Sequence, residues 1–230
     1  MKLVLQSTVI YILAVTLFIS LLIMLFYFLI RKADPLEEPK GAVLLGIMAV
    51  EFVEKMVRDA TNKEIAEKLA PYVGSIMLYI FLANIAGLFG IEPPTANYSV
   101  TLTLAAITCI LIEVYAIRYK GAKGYIKGLF EPLAPFVIIN IISKLGTLLS
   151  LSLRLFGNIM SGTILMSVIY QLFAMVSGAI PVIGQFNIFG VIVAPFLHMY
   201  FDLFSGVMQT YLFSTLTVSF IGNELPSEVK

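Results

Sequence analysis

Apolar positions run along this chain in long blocks separated by short polar stretches. The first block, Val9–Ile30, is close to the roughly 20 residues a helix needs to cross a bilayer, and it ends at Arg31 and Lys32. It is longer than a signal-peptide core and no small-residue cleavage site follows it, so it reads as a first transmembrane helix and not a leader. The stretch ADPLEEPKG then breaks the chain with prolines and charge. Residues 42–59 repeat with a period of about 3.6 residues. Glu51, Glu54, Lys55 and Arg58 share one face, and Leu45, Met48, Phe52 and Met56 the other. That pattern suits a helix lying on the membrane surface or against a partner, and equally a plain amphipathic connector. Residues 73–90 form a second span, with Asn84, Gly87 and Gly90 inside it. The turn IEPPTAN leads to a third span, 98–117, which contains Glu113, and a basic loop RYKGAKGYIKG follows. Residues 132–175 are apolar except for Lys144 and Arg154, and an uncharged connector with Gly178, Pro181 and Gly184 leads to the last block, 187–221. These two final blocks exceed the ~20 residues of a perpendicular span, so they must tilt, break or lie partly in the membrane plane.

Composition agrees with this pattern. The chain has 230 residues, of which 60% are hydrophobic and 13% charged, and its mean hydropathy is +0.98. Soluble domains carry about 25% charge, so this much apolar surface requires lipid. The expected fold is an all-α polytopic membrane protein of about five membrane-crossing helices and one amphipathic surface helix, the last two crossings long and strongly tilted. It forms a single membrane domain, with no internal repeat of the kind that marks many transporters. Of 15 Lys and Arg residues, seven lie in 31–70 and four in 118–127. The turn at 91–97 and the connector at 176–186 contain none. By the positive-inside rule the basic segments are cytoplasmic, which puts the N-terminus outside and the C-terminus inside. A net charge of +1 gives no reason to expect nucleic acid, and the single cysteine, Cys109, excludes an internal disulfide or a cysteine-based zinc cluster.

Candidate chemistry lies in the few ionisable groups inside the spans, because each costs about 2.5–3.5 kcal/mol to insert. Lys144 is near the cytoplasmic end and can act as a snorkelling anchor. Arg154 sits mid-block in SLSLRLFGNIMSG, and its guanidinium cannot be discharged. It must face water or a carboxylate, and Asp202 is a candidate partner. Asn158 and Ser161 follow Arg154 on the same helical face, while Gly157 and Gly162 would admit a neighbouring helix. His198, Asp202, Ser205 and Gln209 form a second polar stripe, spaced i, i+4, i+7, i+11. Two such stripes on adjoining helices can line an aqueous path, or they can simply be interhelical hydrogen bonding. No HExxH, GxSxG, Walker or paired-cysteine motif occurs, so no catalytic chemistry, metal, cofactor or nucleotide site is expected in this chain.

SLSLRLFGN resembles the signature of the F-type ATP synthase a subunit family. LANIAGLFG, PTANYSVTLTLA and VMQTYLFSTLTVSFIG are similar to further family segments, in the same order, so the likeness runs from about residue 40 to 223. The resemblance implies a membrane stator with two aqueous half-channels, passing protons or Na+ to and from a rotating c-ring and coupling that flow to ATP synthesis. Arg154 matches the arginine that faces the ring carboxylates. Asn158, Gln209, Asn84 and Asn97 match polar positions near the ion path, and Asp202 a position that holds a titratable group. Ser161, His198 and Glu113 are added as polar or titratable groups of the same spans. Implied partners are the c-ring, b-type peripheral stalk subunits, the catalytic head through the complex, and the bilayer, in a bacterial plasma membrane. The sequence departs from the family pattern at Thr163, where Glu or His is usual, so Asp202 is left as the only titratable group of that pair. It also lacks the proline that usually precedes the arginine motif, reading GTLLSLSLR instead.

Overall fold

A computed structural model describes residues 7–31, 40–178 and 188–226. The prolines of ADPLEEPKG, Lys32, and Pro181 and Gly184 of the expected connector lie outside the described residues. Among those described, regular structure is helical: α1 (Ser7–Arg31), α2 (Ala42–Ala60), α3 (Lys63–Ile85), α4 (Tyr98–Leu129), α5 (Phe136–Gly178), α6 (Ile188–His198) and α7 (Ser205–Glu224). Short 3-10 turns, Ala86–Phe89 and Pro94–Ala96, join α3 to α4, and a π-helical segment, Met199–Phe204, joins α6 to α7 without a break. Four helical stretches are long and apolar enough to cross a membrane: Lys63–Phe89, Tyr98–Leu129, Phe136–Gly178 and Gly190–Glu224. The 25-residue α1 adds a shorter apolar run, Val9–Leu25. The protein is therefore a polytopic helical membrane protein.

Local chemistry explains the element ends. Asn62 caps α3 by accepting from the Ile65 N–H at 2.8 Å, and Thr61 donates back to the Val57 carbonyl at 2.7 Å, so α2 and α3 meet in a tight, satisfied corner. Helix α3 therefore starts ten residues before the apolar run at 73, because its polar first turns KEIAEKLAP are capped and helical. The basic segment expected as a loop is also helical: α4 continues through it to Leu129. It changes direction at Gly121, whose φ of 73° suits a residue without Cβ. Helix α5 is continuous over 43 residues, about 64 Å at 1.5 Å per residue. The absence of proline before Arg154 leaves its first half unbroken. Such a rod is about twice the ~30 Å hydrocarbon thickness, as expected for a helix that tilts strongly. Pro195 inside α6 removes one backbone donor, and the widened π turn follows four residues later.

The core consists of two apolar clusters stacked along α7. One joins Val53 and Val57 of α2, Ile65, Leu69 and Val73 of α3, Ile112 of α4, and Val218 and Ile221 of α7. The other joins Ile76 and Ile80 of α3, Ala105 of α4, Leu151 and Leu155 of α5, and Phe213 of α7. The face of α2 that packs inward is thus Val53 and Val57. Of the apolar face expected from the sequence, Leu45, Met48 and Phe52 remain exposed on the outside, while Met56 is half-buried with its sulfur 3.9 Å from the Thr215 hydroxyl of α7. Only 11% of the apolar window of α5 is covered by the rest of the chain, so most of its surface is left for lipid or another subunit.

Candidate functional site

Arg154 lies on α5, half-buried, with its guanidinium 3.4 Å from the Ser150 hydroxyl. Among the described residues it forms no ion pair. Asp202, its candidate partner, instead accepts from His198 Nδ1 at 2.6 Å, and it packs beside Gly87, where a Cβ would stand 3.6 Å from the carboxylate. Arg154 is therefore a permanent cation on a lipid-type helix, with no carboxylate partner among the described residues.

The two polar stripes meet one turn further along. The Ser205 hydroxyl donates to Asn158 Oδ1 at 2.7 Å. Gly162 faces Phe201, and a Cβ at Gly162 would stand 3.8 Å from the Phe201 side chain. These pairs set an antiparallel register between α5 and the last helix, and the same register brings Arg154 level with Gln209. Gly157, by contrast, has no neighbour among the described residues within 4 Å of a Cβ position. Asn84 enters from α3. It is buried, and its Oδ1 accepts from the Thr95 hydroxyl at 2.9 Å. Gly206 on α7 permits that approach, since a Cβ there would lie 3.1 Å from the Asn84 Cβ. Gln209 is also buried. The amide nitrogens of Asn84, Asn158 and Gln209, and the Ser214 hydroxyl, are buried without a protein partner among the described residues. Buried donors are normally satisfied, so this file of amides is built to meet water or a polar group from outside the chain.

Beyond Asp202, His198 Nε2 lies 2.9 Å from the Tyr170 hydroxyl of α5. The structure thus sets Asn158, Asn84, Asp202 and His198 along a polar seam between α3, α5 and the last helix, and the helix register puts Arg154 and Gln209 one turn beyond Asn158 and Ser205. Other candidates do not join it. Ser161 and Thr163 are exposed, and their hydroxyls return to the carbonyls of Asn158 and Ile159 at 3.1 Å and 3.0 Å. Asn97 caps α4 by accepting from the Ser99 N–H at 2.9 Å. Glu113 binds Lys144 at 2.7 Å and accepts from the Tyr125 hydroxyl, while Glu224 pairs with Lys120. Lys144 is ten residues, about 15 Å, from Arg154 along α5, so Glu113 neutralises that lysine at the far end of the bundle, and Lys144 is a paired group more than a snorkelling anchor. Tyr170 and Thr95 were not legible as site residues. Tyr170 falls about four and a half turns beyond Arg154 and so off its face, and Thr95 lies in a turn.

Comparison with known proteins is consistent along the chain. A family model described as ATP synthase A chain matches residues 11–222. ATP synthase subunit a of Mycoplasma genitalium is 32% identical over 225 residues, covering 88% of this chain and 75% of that protein. The Mycoplasma pneumoniae subunit a is 31% identical, covering 92% and 75%. A Propionigenium modestum protein named as ATP synthase subunit a, sodium ion specific, is 33% identical over 67% of this chain and 54% of its own. With the all-helical membrane fold and a polar seam to one side of Arg154 already in place, these matches show that the chain belongs to the ATP synthase A chain family, the ion-translocating stator subunits of the F-type membrane sector.

Proposed function

We propose that Arg154 is the fixed charge of the stator, that the seam described above forms the access path on one side of it, and that the missing carboxylate is supplied by a c-ring. The observation that carries this reading is the arginine itself: half-exposed, unpaired within the described residues, and set on a helix whose apolar surface is mostly uncovered. A ring carboxylate must be neutral to face lipid and charged to exchange its ion. A guanidinium beside it favours the charged form and opposes direct passage of a cation along the seam. An ion then enters on one side, rides the ring round, and leaves on the other. Each unit charge falling through 100 mV releases about 2.3 kcal/mol, which the complex collects for ATP synthesis in its head.

With the N-terminus outside, α5 runs outward from Phe136, so Asn158, Tyr170, His198 and Asp202 belong to the outer half-path. Ser150, Thr147 and Ser143 continue the polar positions toward the inner side. Hydration near Arg154 keeps its pairing with the ring carboxylate weak, since a dry ion pair would hold the ring. The outward apolar faces of α1 and α2 suit b-type stalk subunits and lipid.

The test is ATP-driven ion uptake into inverted vesicles carrying the native complex or Arg154→Ala. Loss of uptake, with the complex assembled and the head still hydrolysing ATP, supports the reading. Uptake equal to native would make the arginine structural and refute it.

A further inference from the structure

At one end of the bundle, five side chains from three helices meet in a single polar cluster. Both Glu113 oxygens of α4 accept from the Lys144 ammonium of α5, at 2.7 and 2.8 Å. The same ammonium lies 3.9 Å from Glu224, in the last turn of α7, and Glu224 also pairs with Lys120 of α4. Tyr125 closes the cluster: its hydroxyl donates to Glu113, and its ring centroid is 4.9 Å from the Lys144 nitrogen. Tyr125 comes 12 residues after Glu113. On an unbroken helix that is about 18 Å, beyond the reach of the two side chains. The contact exists because the chain turns at Gly121, whose φ of 73° and ψ of 155° are not helical, and carries the end of α4 back over its own flank. Asn140 secures the other side of this hairpin, donating from its amide to the Leu129 and Glu131 carbonyls at 2.8 and 3.2 Å.

We propose that this cluster is the register lock of α5: Lys144 and Glu113, closed by Tyr125 and Glu224, are positioning residues that fix the height and rotation at which the helix presents Arg154. That Arg154 is presented to a ring rests on the stator reading; the lock itself is a property of this chain. Helix α5 is continuous from Phe136 to Gly178 and holds no proline, so a slide or turn at Lys144 carries along the rod to Arg154. One residue of slip moves the arginine about 1.5 Å along the axis and turns it by about 100°. Arg154 lies about 15 Å beyond Lys144, and Gly162, which meets Phe201, about 12 Å further on. The arginine thus sits between two anchors. Leu151 and Leu155, also between them, pack into an apolar cluster, and apolar burial is non-directional. The ion pairs supply direction, because a slipped register would leave half-buried Lys144 without its carboxylate in an apolar segment, where an unpaired charge is costly. Fixing register is the best-attested use of a buried ionic contact. Tyr125 adds a second hold, since the ammonium is attracted both to its ring and to the carboxylate that its hydroxyl binds.

A disulfide reads the register. A Cβ at Gly162 stands 3.8 Å from the Phe201 Cβ, inside the roughly 3.5–4.5 Å that a disulfide needs. The probe is Gly162→Cys with Phe201→Cys in a Cys109→Ser background, in the whole purified complex, kept well below its unfolding midpoint and oxidised with copper phenanthroline. With the lock intact the pair should cross-link readily. Glu113→Gln and Lys144→Met should each slow cross-linking on the order of 3-fold. Lys144→Arg, which keeps a cation able to bind both carboxylate oxygens, should restore the native rate. In complexes without the two added cysteines, Glu113→Gln and Lys144→Met should lower ATP-driven uptake per assembled complex by a similar factor, while the head goes on hydrolysing ATP. A pair that only stabilises would reduce the amount of assembled complex and leave both rates alone. Tyr125→Phe removes one hydrogen bond and leaves every charge paired, so it assembles even where the charge variants do not; it should slow cross-linking about 2-fold. Cross-linking at the native rate in these variants would overturn the lock. Slowed cross-linking with native uptake per complex would overturn its role in presenting Arg154. Native uptake by Arg154→Ala would instead refute the stator reading and leave the cross-linking result standing, so the two failures are told apart.

Discussion

Replacing Gly222 by alanine puts a methyl group where the backbone of another helix already stands. A Cβ at this position would lie 2.3 Å from the Ala60 carbonyl oxygen and 3.3 Å from its carbon, against an ordinary contact of 3.4 Å or more. One helix must therefore move by about 1 Å. No flexible side chain can absorb that shift, because the clashing atom is main chain. Ala60 ends α2, and the next residue is tied down twice, by Thr61 N and Thr61 Oγ1 to the Val57 carbonyl at 3.0 and 2.7 Å. Around the joint Val57, Val218 and Ile221 are fully buried. Overpacking of this kind costs about 1–3 kcal/mol. The opposing gain in helix propensity from Gly to Ala is at most about 1 kcal/mol, and less here because Gly222 is in the last turn of α7. The steric cost wins, with a net loss of about 1–2 kcal/mol. Gly128→Ala is the control, since among the described residues nothing lies within 4 Å of its Cβ position. Thermal unfolding of the detergent-purified complex, followed by loss of this subunit from the assembly, should show Gly222→Ala less stable than both native and Gly128→Ala. Equal midpoints for the two alanine variants would refute the close-packing argument.

Three further outcomes follow from the same geometry. Arg154→Lys should abolish ATP-driven uptake nearly as fully as Arg154→Ala, because a compact ammonium lacks the planar, spread charge of guanidinium; retained pumping would contradict this. Asp202→Asn should slow transport more than Thr163→Ala, since Asp202 holds His198 while the exposed Thr163 hydroxyl only returns to its own helix; equal rates in the two variants would remove the assignment. Lys144→Met and Glu113→Gln should each destabilise the protein, because each takes from a half-buried charge its closest partner. The double variant should lose about 1–3 kcal/mol less than the sum of the two, as measured by the midpoint shifts of a double-mutant cycle; strict additivity would mean the pair is idle.

The Glu113–Lys144 pair also separates two kinds of information in the chain. That both residues sit in apolar segments is visible from the sequence, and so is the insertion cost that makes each a candidate for function. What decides their role is the rotation of α4 against α5, which brings the carboxylate to the amine and leaves it remote from Arg154. Glu113 thus stands apart from the seam for a reason that no spacing within α4 contains. The amphipathic helix behaves in the same way. Its period is local and correctly marks residues 42–59 as helical, but the side that packs inward, Val53 and Val57, depends on where α3 and α7 lie.

By itself the sequence determined the helical membrane class, the approximate spans, Arg154, and the two polar stripes, because hydrophobic period and the cost of an intramembrane charge are properties of short segments. Only the tertiary structure decided that Asp202 belongs to His198 and not to Arg154, that Tyr170 and Thr95 join the seam, that Asn97 is occupied in capping α4, and that Gly222 touches the end of α2. Each of these rests on the register and rotation of helices far apart in the chain, set by how their side chains pack together.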